Sequence, residues 1–293
     1  MSDLLLALAY VAAGSVCLFL VSRQIGRRHG LSIRNLLAVG TMLLGTGYFC
    51  FLWDQVLLSR VVPHSSLVVL GNWFPMFAGV LCGVAWTSRL SVLRRSIAVS
   101  SLGIAALAIL ISPLTGTSPT CGDQWRDGVC IQTTKHTCSP ASAATLLRKY
   151  GIEATESEMS NLCLTREGTT WQGLYRGLSL KTHGTPWDVE VFEGTFDDLR
   201  STDAAPAILV ARLPVERRSD SQFTDTSGWI PGQSHSVVFS HFLNDHTVVM
   251  NDPSFGREIW RVEDLKTLWT GRAIRLVPRS QESTLVGILR AAL

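Results

Sequence analysis

Apolar residues form long, nearly uninterrupted runs in the first third of the chain, whereas later apolar stretches are short and mixed with charge, glycine and proline. A helix that crosses a bilayer needs roughly 17–25 predominantly apolar residues. Four runs approach or reach this length, at residues 4–21, 35–53, 66–86 and 96–111. The pattern therefore predicts an all-α membrane region over residues 1–113 with four transmembrane helices.

Basic residues are unevenly distributed among the loops between these runs. The first loop holds Arg23, Arg27, Arg28 and Arg34, the third holds Arg89, Arg94 and Arg95, and the second holds only Arg60. Lys and Arg in short loops are retained on the cytoplasmic side. We therefore expect the first and third loops inside, and the N-terminus and everything after about Ser112 outside the cytoplasm. The first run lacks a basic leading segment, so we expect it to be retained rather than cleaved as a signal peptide.

The remainder of the chain has the pattern of a water-soluble domain. After a linker at residues 114–130, helical patterns come first and strand patterns follow, which is typical of α+β domains. We expect this domain over residues 131–280, with helices packed on an antiparallel sheet, and a C-terminal tail at residues 281–293. The polar stretch between Leu213 and Ser234 is unusually long for a connection and predicts either a lid beside a cleft or a surface insertion.

Composition and charge narrow the possible partners. The mean hydropathy of +0.24 comes from the membrane region. The net charge of +3 is small, and the arginines of the soluble part form no stripe, so no nucleic-acid partner is predicted. The lipid bilayer is the partner that the apolar runs require.

A cysteine stands at the start of a predicted helix in the soluble part. Residues 140–150 combine a proline in the first turn, basic residues in the last turn and Gly151 as the stop. Cys138 therefore lies at the positive end of the helix, which stabilises a thiolate and lowers the pKa of the thiol. A cysteine in this position can also be a simple packing residue, so Cys138 needs a base nearby to count as a nucleophile.

A predicted β-hairpin supplies the candidate base. Residues 236–242 have a strand pattern, 243–246 a turn pattern and 247–250 a second strand pattern. The ends of a hairpin lie together, so His235 should be close to Asn251 and Asp252, which places an imidazole beside an orienting carboxylate. Gln132 precedes Cys138 on the approach to the helix, where its amide N–H can help to hold an oxyanion. The other histidines of this region are weaker candidates, since His136 is too close to Cys138 in sequence, His241 lies within the strand and His246 lies in the turn.

Taken together, these motifs resemble one peptidase family. Gln132, Cys138, the run His235–Phe239, the turn Asp252–Gly256 and the segment Trp269–Gly271 are similar to the double-glycine-leader, or bacteriocin-processing, cysteine peptidases. Those papain-like domains stand at the front of bacteriocin-exporting ABC transporters and also occur as free or membrane-tethered proteins. The resemblance covers roughly half of the chain, from about Gln132 to Leu276.

The resemblance implies an α+β papain-like cysteine peptidase with four site residues. Cys138 would attack the scissile carbonyl, His235 would transfer the proton, Asp252 would orient His235, and Gln132 would help to form the oxyanion hole. Such a peptidase needs no cofactor and no metal. Its substrate would be a peptide or protein, and cleavage would follow small residues such as a Gly-Gly pair in a leader or precursor.

The chain departs from that family in three respects. Ser139 stands where the family usually has glycine after the nucleophile. The four lysines are each preceded by a residue other than glycine, so no phosphate-binding Gly-Lys loop and no ATP partner are predicted. The membrane region comes before the peptidase and has too few spans for a typical exporter subunit, and the sequence leaves open any association with a separate transporter.

Other uses of the cysteines and other functions stay open at this stage. A zinc site is not predicted, because the soluble part has neither a close cysteine pair nor two histidines suitably spaced on a helix. If the domain lies outside the cytoplasm, two of Cys121, Cys130 and Cys163 can form a disulfide. The alternatives to a peptidase are a catalytically silent peptidase-like module that binds a peptide, and a papain-like cell-wall amidase.

Overall fold

The computed structural model describes residues 2–201, 205–215 and 229–279. The chain divides into two compact units, residues 1–115 and 116–293. Most of the long polar stretch before Ser234 and all of the predicted tail at 281–293 lie outside the described residues, so the expectations for a lid and a tail apply to a part of the chain that the structure does not describe.

The first unit is helical throughout its regular structure. Its helices are α1 (Ser2–Arg28), α2 (Leu31–Phe51), α3 (Leu57–Val61), α4 (Leu67–Leu70), α5 (Phe74–Trp86) and α6 (Val92–Ile111). Helix α5 packs against α1, α2 and α6. Glycines permit the close approach of α1 and α5, since a Cβ atom at Gly79 or Gly83 would overlap backbone atoms of α1. Small residues at such crossings are typical of helices that associate in membranes.

Three described helical segments are long and apolar enough to cross a membrane, namely Ser2–Arg28, Leu67–Trp86 and Val92–Leu114. They cover the first, third and fourth of the predicted spans. Helix α2 covers most of the second predicted span. Its hydropathy is lower than that of the three other segments, because Arg34 and Asn35 lie in its first turns and it contains three glycines. A fourth span therefore stays a prediction.

The second unit begins with a short β-hairpin. Its strands are β1 (Gln124–Arg126) and β2 (Val129–Ile131), and Asp127 and Gly128 form the turn with positive φ angles of 50° and 80°. An Asp-Gly pair is the preferred sequence for such a turn. The hairpin lies in the segment expected to be a linker, yet Cys130 is fully buried and its N–H donates to Thr145 Oγ1 at 2.9 Å. This segment therefore packs with the domain that follows it.

Three helices precede the large sheet. They are α7 (Cys138–Lys149), α8 (Glu156–Leu162) and α9 (Trp171–Thr182). Helix α8 is capped at its N-terminus, with Thr155 Oγ1 accepting from the Glu158 N–H at 3.1 Å. Helix α7 begins two residues earlier than its sequence pattern indicates, so that Cys138 is its first residue rather than the residue just outside it.

The sheet is antiparallel and, within the described residues, has six strands in the order β3-β8-β4-β5-β6-β7. The strands are β3 (Trp187–Glu193), β4 (Ala207–Arg212), β5 (Ser234–Phe242), β6 (Thr247–Asp252), β7 (Gly256–Arg261) and β8 (Trp269–Pro278), with short helices α10 (Phe196–Ser201) and α11 (Val262–Leu268) between them. The helices and antiparallel sheet confirm the α+β prediction. The predicted hairpin is β5–β6, which pairs Val238 with Asn251.

Helix α7 packs on the central strands, which positions the candidate site. Its residues Ser139 to Leu147 are all buried. Two serines fix its first turns to β5, with Ser142 Oγ donating to the Ser236 carbonyl at 2.9 Å and Ser139 Oγ lying 2.8 Å from Ser236 Oγ. Cys138 directly precedes Ser139, and His235 directly precedes Ser236. These contacts therefore hold the two candidate groups next to each other in the fold.

Candidate active site

Cys138 is the first residue of α7 and is half-buried. The segment before it is closed by a tight turn, in which the Thr137 N–H and Oγ1 both donate to the Thr134 carbonyl, at 3.1 and 3.0 Å. The positive end of the helix lies at the sulfur, which favours the thiolate. Cys138 therefore combines electrostatic support with access from solvent, as a nucleophile requires.

His235 and Asp252 form a buried pair. His235 Nε2 lies 3.0 Å from Asp252 Oδ1, and the two residues are only 2% and 0% exposed. His235 is near the start of β5 and Asp252 is the last residue of β6. Because the two strands are antiparallel neighbours, the start of one lies beside the end of the other. The hairpin predicted from the sequence thus brings these side chains together.

Two further donors hold the Asp252 carboxylate. Trp229 Nε1 donates to Oδ2 at 2.7 Å, and the Ser254 N–H donates to Oδ1 at 2.7 Å. The Trp229 ring also lies 4.5 Å from the His235 ring, centroid to centroid. These two donors, together with the His235 ring, fix the orientation of the Asp252 carboxyl group inside the core.

The titration of Cys138 and His235 is coupled. Burial by itself raises the pKa of the Cys138 thiol, but the hydrogen bond and charge of His235 outweigh it, and the net pKa lies below the usual value. Burial lowers the pKa of His235, whereas the charge and hydrogen bond of Asp252, with a smaller effect of Cys138, raise it to about 10. The other ring nitrogen, Nδ1, is buried and has no hydrogen-bond partner among the described residues. This is the electrostatic arrangement of a thiolate–imidazolium pair.

Gln132 is anchored to the same turn as the carboxylate. Its backbone N–H donates to the Pro253 carbonyl at 2.8 Å, and its side chain is half-buried. The approach segment to Cys138 is therefore tied to the residue that follows Asp252. The proposed part of Gln132 in an oxyanion hole stays a prediction.

Sequence reasoning missed two residues that support the site. Glu156 is fully buried and accepts from the Thr133 N–H and Oγ1 at 2.7 and 2.6 Å, next to Gln132. Trp229 was placed only in a polar connection, and its contact with Asp252 had no sequence signal, because the pattern around it does not define a strand or helix. An acidic residue in the first turn of a helix is already explained by its favourable interaction with the helix dipole. The sequence pattern therefore did not indicate the long-range contacts of Glu156.

The remaining cysteines and histidines differ from Cys138 and His235. All seven cysteines are free thiols in the structure, so a disulfide among Cys121, Cys130 and Cys163 stays a prediction. Burial raises the pKa of Cys130 and of Cys163 to about 12, which makes both unreactive. His241 and His246 are exposed and His136 is partly buried, whereas the histidine that contacts Asp252 is His235.

Known proteins similar to this chain were found by sequence and by structure. No protein-family model matches the chain. An uncharacterized protein of Methanothermobacter thermautotrophicus is 25% identical over 150 residues, which are 50% of this chain and 85% of the relative. The structure of the peptidase domain of Streptococcus ComA, a bi-functional ABC transporter of a quorum sensing pathway, is 20% identical with a TM-score of 0.41, over 52% of this chain and 98% of that domain.

Two other solved structures are of the same kind. A double glycine motif protease from an AMS/PCAT transporter, solved with its leader peptide, is 17% identical with a TM-score of 0.38 over 52% of this chain and 91% of that protein. The N-terminal peptidase C39 like domain of a toxin secretion ATP-binding protein from Vibrio parahaemolyticus is 16% identical with a TM-score of 0.36, over 50% of this chain and all of that domain. Over about half of its length the chain is thus similar to solved peptidase and protease domains of transport and secretion proteins.

Proposed function

We propose that this protein is a membrane-anchored cysteine peptidase with Cys138 as nucleophile, His235 as general acid and base, and Asp252 as the residue that orients His235. The observation that carries this proposal is a buried histidine, held by a carboxylate at 3.0 Å, on a strand whose next residue, Ser236, lies 2.8 Å from the hydroxyl of Ser139, the residue after the half-buried Cys138. The three residues come from separate elements, α7, β5 and β6, which the β5–β6 pairing and the contacts of Ser139 and Ser142 with Ser236 bring together.

The reaction follows from this arrangement. The Cys138 thiolate attacks the scissile carbonyl carbon and forms a carbon–sulfur bond, and the carbonyl oxygen becomes an oxyanion. The Cys138 backbone N–H and the Gln132 side-chain N–H stabilise that charge. The His235 imidazolium gives its proton to the leaving amine as the carbon–nitrogen bond breaks, leaving a thioester. Water then attacks the thioester while neutral His235 takes its proton, which releases the new carboxyl group and the thiol.

A peptide with a small-residue pair such as Gly-Gly before the cleaved bond is the proposed substrate. The sequence resemblance to double-glycine-leader peptidases supports this choice. Ser139, the main departure from that family, is buried and hydrogen-bonds with Ser236 at 2.8 Å. Its hydroxyl is therefore engaged with β5, and it does not need to occupy the groove in which a substrate would bind.

The helical unit is proposed to cross the bilayer several times and to leave the peptidase on the extracytoplasmic side. Its three long apolar helical segments and its many exposed large apolar residues support membrane insertion. The positions of the arginines support the orientation. A reporter that is active only outside the cytoplasm, fused to the C-terminus, should be active, and a well-expressed but silent fusion would refute the orientation.

The deciding experiment uses the full chain purified in detergent and a set of peptides that differ only at the residues before the cleaved bond. We expect cleavage after Gly-Gly, mapped by mass spectrometry, and none with Cys138→Ala. Peptide binding without cleavage by the wild type would instead identify a silent binding module. Turnover of muropeptides but of no peptide would identify a cell-wall amidase.

A further inference from the structure

The charged residues of the helical unit are concentrated at one end of it. Residues 1–115 contain eight arginines, no lysine or glutamate, and only two aspartates, Asp3 and Asp54. Seven of the arginines lie in or beside the α1–α2 and α5–α6 connections. Asp3 is at the opposite end of α1, roughly 35 Å away at the helical rise per residue. The arginine end of the unit therefore has no carboxylate of its own.

A cavity of about 550 Å³ lies at that end, between the two connections. Four arginines and a histidine line it together with an aromatic residue, namely Arg27, Arg34, Arg89, Arg95, His29 and Trp86. The two basic loops, which are far apart in sequence, thus face a single space. Like charges at this density repel one another unless an anion lies between them.

The arginines around the cavity are only partly used by the protein. The Arg34 side chain donates to the Thr87 carbonyl and the Arg95 side chain donates to the Trp86 carbonyl, in each case the only side-chain hydrogen bond found within the described residues. A guanidinium has five N–H donors. These two bonds fix the position of each guanidinium and leave its other donors for a ligand. The described part of the chain contains no ion pair to any of the arginines that line the cavity.

The surroundings of the cavity suit a lipid rather than a free ion. Large apolar side chains next to it are exposed, with Leu31 62%, Val92 69% and Leu93 71% exposed. The guanidinium groups of Arg23 and Arg95 lie over the Trp86 ring, 5.7 and 5.6 Å from its centroid. Tryptophan next to basic residues is typical of the headgroup level of a bilayer, and basic pockets between membrane helices bind anionic headgroups.

We propose that this cavity binds the phosphate of an anionic phospholipid headgroup, with Arg34 and Arg95 as the fixed donors, Arg27 and Arg89 as additional charges, and the acyl chains along the exposed apolar residues beside α2 and α6. This inference depends on the membrane insertion proposed above and not on the peptidase chemistry. A bound lipid would neutralise the repulsion between the two loops and hold α2 against the end of α5.

The test measures retained lipid by native mass spectrometry on the full chain in a neutral detergent, with phosphatidylglycerol and phosphatidylcholine supplied in equal amounts. We expect preferential retention of phosphatidylglycerol. Each arginine near a membrane surface contributes about 1 kcal/mol to the binding of anionic lipid, so Arg34→Gln with Arg95→Gln should weaken binding about thirtyfold. Arg89→Gln, at an exposed residue, should weaken it about fivefold and keeps the test valid if the double variant does not fold.

Two matched controls separate the cavity from general charge. Arg94→Gln removes a neighbouring charge that does not line the cavity, and Arg60→Gln removes a charge from a different loop, so both should weaken binding less than Arg89→Gln does. Equal retention of the two lipids, equal losses in Arg94→Gln and Arg89→Gln, or complete displacement of lipid by inorganic phosphate would overturn the proposal. Peptide cleavage, measured on the same preparations, is a separate result, so failure of the lipid site and failure of the peptidase assignment are distinguishable.

Discussion

Trp229 and Asp252 are joined by a buried hydrogen bond of 2.7 Å, from the indole Nε1 to the Oδ2 atom that His235 does not contact. The same indole ring lies against the His235 ring. Trp229 is therefore a positioning residue for the proposed site. It fixes the second oxygen of the carboxylate, and it excludes water from the histidine–carboxylate pair.

Trp229→Phe should lower kcat about tenfold and leave KM nearly unchanged. Phenylalanine keeps an aromatic ring but loses the N–H, and a hydrogen bond to a charged group contributes about 1.5–3 kcal/mol. Steady-state kinetics on a Gly-Gly peptide measure this effect.

The matched control for Trp229 is Trp260→Phe, which removes a nearby indole N–H that donates to Glu258 at 2.8 Å rather than to Asp252. Its kcat should stay within about twofold of wild type, because Glu258 has no proposed part in proton transfer. Equal effects of the two variants on kcat would show that Trp229 acts only through packing.

Asp252→Asn should shift the alkaline limit of activity to lower pH. His235, with a pKa raised to about 10, keeps its proton at higher pH than an ordinary histidine, and the charge of Asp252 is the main cause that raises it. Without that charge the effect of burial remains and lowers the pKa, so the imidazolium is lost earlier as pH rises. The measurement is the pH dependence of kcat/KM, or of the rate of Cys138 alkylation. An unchanged alkaline limb would contradict the assignment of Asp252.

The same linkage predicts how stability depends on pH. A histidine whose pKa is raised from 6.5 to about 10 on folding stabilises the native state fully below pH 6.5 and loses that contribution as pH rises to about 10. We expect the thermal midpoint of the wild type in detergent to fall over this interval by more than that of His235→Gln. Parallel curves for the two proteins would show that His235 is not protonated in the folded state.

Alkylation at pH 7 should modify Cys138 before the buried cysteines of the same unit. Cys138 is half-buried with a lowered pKa, whereas Cys130 and Cys163 are buried with pKa values raised to about 12. Only the thiolate reacts. Peptide mapping after brief treatment with iodoacetamide measures the order of modification. His235→Ala should slow the modification of Cys138 specifically, and an unchanged rate would place the two residues out of contact.

Glu156→Ala should destabilise the protein by about 2–4 kcal/mol. The buried Glu156 side chain accepts two hydrogen bonds from Thr133, and the variant loses both and leaves a cavity in place of a fully buried side chain. The surface variant Glu158→Ala, on the same helix, removes only an exposed ion pair to Lys181 and should cost less than about 1 kcal/mol. Thermal unfolding in detergent compares the two, and equal destabilisation would contradict the anchoring role of Glu156.

Local patterns were sufficient to predict much of the site. The helix that starts at Cys138 followed from its proline, its basic last turn and Gly151, and the pairing of His235 with Asp252 followed from a hairpin whose two strands are consecutive in sequence. These features depend on interactions between residues close in the chain, for which propensity and spacing are informative.

The sequence by itself determined the division into an apolar helical part and an α+β part, the helix that presents Cys138, and the hairpin that pairs His235 with Asp252. Only the tertiary structure decided that Ser139 and Ser142 fasten that helix to β5, that Trp229 and Glu156 support the site, and that two distant basic loops enclose one cavity. Residues near in sequence meet through turns of fixed geometry, whereas residues far apart meet only when the whole core has packed, and no local pattern records which of them then become neighbours.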